Sequence, residues 1–380
     1  MQDLRAIIDE KLANNRAHRE AMFATIASGE AIAFIGAGLS APLKYPSWPN
    51  LLAALENRAN QLRAFSASAA AKLDVLQLAE EISNHFKSHG DPHEFNGIIG
   101  REFAPRTGAP NCTATHRRLA KLPFRAFPTT NYDVCQEQAL IDHAFETFNR
   151  PCPDPGVIIK ASGADRHRVS LFLRSITETP RQQRYVGHLH GRHDDTDNII
   201  LTASAYVSAY GFALNGIQPD RNRPVTLHRQ LAWALFATRR MVFFGCSMDD
   251  PYIKALLDTV ASDLWERGVT THYVVLPLDE QLAKSIDAVC AQFQRFGLQP
   301  VLFDNLDGDF SHLDQLLDEA IERCPQAKPS VPMADPNSKP PTVFSQHPPP
   351  ETTGQKLDVG PDWLEEVNRT TENSLKKDED

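Results

Sequence analysis

The stretch Ala31-Ile-Ala-Phe-Ile-Gly-Ala-Gly-Leu-Ser-Ala41 constrains the fold of this 380-residue chain more than any other. Five apolar residues end abruptly in Gly36-Ala37-Gly38, and a helix-like run follows from Trp48 to Leu62. A buried strand, a glycine turn and a helix in this order offer backbone N–H groups to a phosphate. Gly36 and Gly38 permit positive φ and leave no Cβ between the backbone and a pyrophosphate. With Ala41 the spacing also fits the dinucleotide fingerprint GxGxxG/A, although a plain strand-to-helix turn has the same appearance. A Rossmann enzyme wants an acidic residue about 20 positions on, at the end of a second strand. Glu56 has the spacing but sits in the helical run, and the next convincing strand comes only near Phe124. Either the ribose is held differently, or the ligand is not a dinucleotide.

The length allows one large domain or two smaller ones. With 42% apolar and 23% charged residues, the composition is that of a soluble globular protein. The net charge of −9 counts against direct nucleic-acid binding, which usually goes with a basic excess. The start, Met1-Gln-Asp-Leu-Arg, lacks the apolar core of a signal peptide, and no run is long enough to span a membrane. A cytoplasmic location is the expectation. Six cysteines are scattered without a CxxC, so no structural zinc, no disulfide and no other metal is expected.

Residues 1–28 read as an N-terminal helix, with Leu4, Ile7, Ile8 and Leu12 at helical spacing and Gly29 as its stop. From 29 to 323 strands and helices alternate. Between about 48 and 121 no strand interrupts, and Lys72-Leu-Asp-Val-Leu-Gln-Leu-Ala-Glu-Glu-Ile82 is the clearest amphipathic run. This predicts a helical subdomain inserted between two sheet strands, and its place after the glycine loop lets it cover whatever that loop binds. Strand character returns at Phe124–Asp133, with short strands around Val157–Lys160 and Val169–Phe172, then at Tyr185-Val-Gly-His-Leu-His-Gly191 and Met241–Ser247. A helix over Thr226–Ala237 leads into the last of these. Helices over Pro251–Glu266, Glu280–Phe296 and Phe310–Arg323 then alternate with strands at His272–Leu276 and Pro300–Phe303. The fold class is therefore α/β, a Rossmann-like, mainly parallel, doubly wound sheet with an inserted helical subdomain. Residues 324–361 hold ten of the 27 prolines and read as an extended linker. Residues 362–380 begin as a helix-prone peptide with Trp363, Leu364 and Val367 on one face, which suits either docking on a neighbour or a solvated tail.

In such a sheet, ligands gather beyond the carboxyl ends of the strands. Four segments place conspicuous residues there: Gly36-Ala37-Gly38-Leu-Ser40, Thr129-Thr-Asn131-Tyr-Asp133, His188-Leu-His190-Gly191 and Gly245-Cys-Ser247-Met-Asp-Asp250. Each alone has an ordinary explanation. Asn131 and Asp133 could form an Asx turn, His190 could be a satisfied core histidine, and Ser247 could cap the next helix.

Taken together and in this order, the four segments resemble the sirtuin superfamily. Tyr45-Pro-Ser-Trp-Pro-Asn-Leu-Leu52 and Gly245-x-Ser-x-x-Asp-Asp-Pro-Tyr252 are similar to the divergent, zinc-less bacterial branch that degrades NAD⁺ in anti-phage defence. The resemblance covers roughly residues 29–323. Deacylating sirtuins carry a CxxC…CxxC zinc module, which this sequence lacks, so the resemblance implies an NAD⁺ glycohydrolase rather than a deacylase. It implies Asn131 and His190 as catalytic residues, the first orienting water or the nicotinamide ribose and the second acting as base. Gly36, Ala37, Gly38 and Ser40 would cradle the pyrophosphate, while Asp133, Gly245, Ser247 and Asp250 would hold hydroxyls or the loop around them. It also implies abortive infection by NAD⁺ depletion, gated by self-assembly into a homo-oligomer or by a partner protein. The partner favoured is a hexameric DNA-translocating ATPase, with a short Argonaute as the alternative.

Two other classes compete. His188, His190, His193, Asp194 and Asp195 have the residue types of a metal-dependent nuclease or phosphohydrolase. A non-catalytic sensor of NAD⁺ or ADP-ribose would keep the glycine loop but would not need both Asn131 and His190.

Overall fold

The computed structural model describes residues 2–68, 74–149, 152–160, 166–177, 183–211, 226–248, 250–264 and 272–324. The linker beyond Cys324 and the terminal peptide lie outside the described residues. The strands are β1 (Ile32–Ile35), β2 (Phe127–Thr129), β3 (Gly156–Ile158), β4 (Val186–His188), β5 (Met241–Phe244), β6 (His272–Leu278) and β7 (Leu298–Asp304). They form one sheet in the order β3-β4-β2-β1-β5-β6-β7, and every pair is parallel. The sheet is thus the Rossmann-like, doubly wound α/β arrangement expected from the alternation of elements.

Around the strands lie α1 (Gln2–Ala27), α2 (Trp48–Leu62), α3 (Val75–His89), α4 (Glu94–Glu102), α5 (Ala114–Lys121), α6 (Cys135–Phe148) and α7 (Arg166–Thr177). The second half adds α8 (Ala203–Tyr210), α9 (Leu227–Thr238), α10 (Pro251–Leu264), α11 (Glu280–Ala283), α12 (Ile286–Arg295) and α13 (Ser311–Arg323). Strand periodicity sorts the apolar side chains into two cores. Ile32, Phe34, Met241 and Phe243 face one way, onto Phe172, Leu231, Leu256 and Ile286. Ala33, Ile35, Val242 and Phe244 face the other, onto Met22, Leu119, Leu140 and Leu317. Both faces are covered, so β1 and β5 are apolar at every position instead of alternating.

The stretch 169–172, expected as a strand, is part of α7. Val169, Phe172 and Ile176 are its buried positions, a spacing of three and four that a helix reads as one face. The helix expected over 280–296 breaks at Lys284–Ser285 into α11 and α12. Helices α6 and α8 were not anticipated from the sequence. Between β1 and β2, helices α2 to α5 build a third core from Leu52, Leu55, Ile82, Phe86 and Ile99, which also takes in Tyr132, Ile199 and Leu201.

Helix α1 covers the edge strand β7. Asn15 accepts from Leu302 N at 2.8 Å and donates to the Pro300 carbonyl at 3.0 Å, so one side chain occupies both hydrogen-bonding functions of an exposed strand edge. Among the described residues no helix is long and apolar enough to cross a membrane.

Candidate active site at the carboxyl edge of the sheet

The four singled-out segments leave β1, β2, β4 and β5. These strands are neighbours in the order β4-β2-β1-β5, and all run the same way, so their loops emerge side by side. Chain order reverses at β1, with β2 on one side and β5 on the other, which is where open α/β sheets leave a crevice.

The glycine loop works differently from the expectation. Gly36 has φ −107°, and Gly38 is not among the positive-φ glycines. What both require is space. A Cβ on Gly36 would lie 2.4 Å from the Gly245 carbonyl oxygen and 2.7 Å from Cys246 Sγ, and one on Gly38 2.9 Å from the same oxygen. Gly36 N donates to the Phe244 carbonyl at 2.8 Å and Gly38 N to that of Gly245 at 2.9 Å. Gly245 itself needs the left-handed region, with φ +66°. The β1 and β5 loops are therefore interlocked through backbone, and two amides expected to cradle a phosphate are engaged there. Ala37 and Gly38 are exposed at the rim, whereas Ser40 is buried. Gly36→Ala should destabilise the protein by about 2 kcal/mol or more through overpacking. Gly97→Ala on α4, where the nearest atom to the new Cβ is an Arg101 nitrogen at 3.6 Å, should be neutral or slightly stabilising. Denaturant midpoints of the two variants check this.

The loop after β2 is held by its own side chains. Thr129 Oγ1 donates to the Ile35 carbonyl at 2.8 Å and accepts from Asn131 N at 3.0 Å, tying β2 to β1 just below Asn131. Asp133 Oδ1 accepts from Cys135 N at 3.0 Å, the Asx turn that starts α6. Tyr132 OH donates to the Ile200 carbonyl at 2.8 Å. Asn131 Nδ2 and Ser40 Oγ are buried without a hydrogen-bond partner among the described residues.

His188 and His190 have opposite environments. His188 is fully buried, with Nδ1 3.0 Å from the Asn131 carbonyl and Nε2 2.6 Å from Glu137 Oε1. Both neighbours are acceptors, so both ring nitrogens donate and the ring is an imidazolium. Burial disfavours that charge, but Glu137 outweighs it and the pKa stands above the ordinary histidine value. An imidazolium has no lone pair for a metal. The rest of the cluster weighed as a metal site is dispersed as well. Asp194 pairs with Arg192 at 2.7 Å and Asp195 with Lys160 at 2.9 Å. Among the described residues no three His, Cys, Asp or Glu side chains are arranged to hold a metal ion.

His190, also buried, sits among hydroxyls. Its Nε2 lies 2.9 Å from Tyr210 OH and its Nδ1 3.3 Å from Tyr206 OH. Tyr206 OH lies 3.0 Å from Asp250 Oδ2, which is itself 3.7 Å from His190 Nε2. Burial lowers the His190 pKa, with Asp250 opposing, so the ring is neutral near pH 7 and can accept a proton. Asp250 Oδ1 accepts from Tyr252 N at 2.9 Å and Ile253 N at 3.0 Å. The side chain that caps α10 is thus Asp250. Ser247, expected as the cap, is exposed in the loop.

The helical insert packs against these loops. Tyr132 meets Phe103 at 5.2 Å between ring centroids, and Gly100 leaves no room for a Cβ beside the His193 carbonyl. Glu80 on α3 accepts from Ser204 N at 2.9 Å and Ser204 Oγ at 2.7 Å, at the start of α8. Asn131, Asp133, His190 and Ser40 are each less than one-tenth exposed. Four residues beside this site were missed from the sequence. Tyr206 and Tyr210 stand four apart on α8, and Glu137 follows Gln136, whose two buried amide atoms are unpaired among the described residues. A tyrosine pair at i, i+4 was a readable signal; nothing local marked Gln136.

Residues 125–301, from the start of β2 into β7, match the family model of the SIR2-like domain. That stretch of the chain is thus similar to the SIR2-like domain. A relative from Enterococcus faecium named NAD(+) hydrolase ThsA is 24% identical over 66% of this chain and 44% of its own length. ThsA relatives from Bacillus cereus and Acinetobacter baumannii are 23% and 25% identical, over 72% and 76% of this chain and 50% and 52% of theirs. The chain spans about half the length of the curated relatives it matches.

Proposed function

We propose that the protein hydrolyses NAD⁺ to ADP-ribose and nicotinamide. The observation that carries this is the placement of Asn131, with an unpaired buried amide, and His190, a neutral buried base, on the loops of adjacent strands β2 and β4. Buried polar atoms left without a partner mark places where a ligand or water completes the bonding. Ser40 Oγ and Asn131 Nδ2 fit the hydroxyls and phosphate oxygens of a dinucleotide, and the exposed Ala37–Gly38 rim fits its more solvated end.

Nicotinamide in NAD⁺ is a cationic leaving group. The C1′–N bond breaks with its electron pair going to the pyridine nitrogen, and water forms the new bond at C1′. The proton of that water passes to His190. Asn131 orients the water or the ribose, so the protein contributes position and a base rather than an acid. The names of the sequence relatives support this substrate.

The same reading places the protein in anti-phage defence, where unrestrained NAD⁺ loss would kill the host. Turnover is then gated by assembly into a homo-oligomer or by a partner such as a DNA-translocating ATPase. The purified chain, alone and with the products of neighbouring genes, should convert NAD⁺ to ADP-ribose and nicotinamide without any acyl-lysine peptide. Chromatography of the products decides. Turnover that needs an acylated peptide would overturn the proposal.

A further inference from the structure

We propose that Asp250 and Tyr206 are positioning residues that fix the tautomer of His190, leaving Nε2 as its basic nitrogen. The inference rests on the reading of His190 as the base and assigns which atom takes the proton.

Asp250 presents only acceptors as a carboxylate. Its Oδ1 is occupied by the Tyr252 and Ile253 amides, so Oδ2 is the oxygen that faces Tyr206 OH at 3.0 Å. Tyr206 has one hydroxyl hydrogen and gives it to Asp250. Its oxygen then meets His190 Nδ1, 3.3 Å away, as an acceptor, so Nδ1 carries the hydrogen. The lone pair lies on Nε2, where Tyr210 OH donates to it at 2.9 Å, so the proton taken from water reaches Nε2 through the Tyr210 hydroxyl, which gives its own hydrogen to the ring and receives that of the water. The chain Asp250–Tyr206–His190 thus does for this histidine what a carboxylate does directly for the imidazole of a catalytic triad. Ring contacts hold the arrangement. Tyr206 meets His190 edge-on at 4.9 Å between centroids, and Tyr206 and Tyr252 pack at 4.7 Å.

Asp250→Asn gives the sharpest test, because the cap dictates which way the new amide points. The carbonyl must stay on the Tyr252 and Ile253 amides, which puts the NH₂ where Oδ2 was. Tyr206 then loses its acceptor, must donate to His190 Nδ1, and forces the hydrogen to Nε2. Histidine ring ¹H–¹⁵N correlation spectra of the full chain at pH 7.5, with the His190 signals assigned by their loss in His190→Asn, report the tautomer directly. The wild type should be protonated at Nδ1 and Asp250→Asn at Nε2, while Tyr206→Phe should lose the fixed preference. In NAD⁺ assays under activating conditions, Asp250→Asn should lose about 10²-fold in kcat with KM nearly unchanged.

An Nε2-protonated wild type, or an unchanged tautomer in Asp250→Asn, overturns the inference. Should Asp250→Asn not fold, Tyr206→Phe provides the same spectroscopic reading. The two claims fail separately. NAD⁺ loss that depends on His190 with no tautomer response to Asp250 sinks only the positioning. The expected tautomers without NAD⁺ loss under any condition sink only the hydrolase reading.

Discussion

Asn131→Ala is expected to lower NAD⁺ turnover by about 10²-fold or more while leaving stability nearly unchanged. The asymmetry follows from the bonding of this residue. Its backbone carries the structural load, accepting from His188 Nδ1 and donating to Thr129 Oγ1, whereas its Nδ2 has no partner among the described residues. Alanine keeps the first set of bonds and removes only the group available to a ligand. His190→Ala should cost at least as much activity, but it will also lose stability. A buried ring in contact with Tyr206 and Tyr210 disappears, and the buried Tyr210 hydroxyl loses its partner. Turnover of both variants, normalised to folded protein by near-UV circular dichroism, checks the pair. Near-wild-type NAD⁺ loss by either would remove it from the reaction.

The second large effect is on acid stability. His116, His228 and His272 are buried, and burial holds their pKa values down, to about 4, about 4 and about 3. In the unfolded chain they titrate near 6.5. As pH falls below that value the unfolded state gains protons that the native state refuses, so stability falls, and it stops falling only near the native pKa values. Each histidine contributes a loss of roughly 3 to 5 kcal/mol across this window at about 1.4 kcal/mol per pKa unit. His188 runs the other way. Its raised pKa gives stability that is fully present below about 6.5 and is lost as pH rises through the raised value, so it does not oppose the acid loss. The urea midpoint should therefore drop steeply between pH 6.5 and pH 4.5, before most carboxylates are protonated. An unchanged midpoint across that interval would contradict the burial of these neutral rings.

Strand and helix alternation made the parallel sheet legible, because a strand buried on both faces shows as an apolar run such as Met241–Phe244. The positions of the site loops were legible for the same reason, since each followed such a run. What the sequence hid were relations between distant segments. Gly36 and Gly38 were legible as required glycines, but the Gly245 backbone that requires them lies two hundred residues on. Asp250 could not be told from Ser247 as a cap without the start of α10. Val169 and Phe172 suggest a strand because β-branched and aromatic residues favour one, whereas with Ile176 they are spaced as one face of a helix. The hydroxyls around His190 come from a short helix, α8, whose tyrosines at i and i+4 mark one buried face but not the histidine that it meets.

The double hydrogen bond from Ser204 to Glu80 links the insert to the helix that carries Tyr206 and Tyr210. If the proposed reading of His190 holds, a ligand meets the ring in conformers where the side chains around it have parted, because the ring is 2% exposed. The apparent dissociation constant is then the intrinsic one divided by the fraction of molecules in such conformers, and a fraction of about one in a hundred weakens it about a hundredfold. Where the contact between Glu80 and Ser204 holds the closed conformers, neutralising Glu80 would raise that fraction without touching any residue assigned to the proposed reaction. A charge on α3 would then set saturation from a helix outside the proposed chemistry.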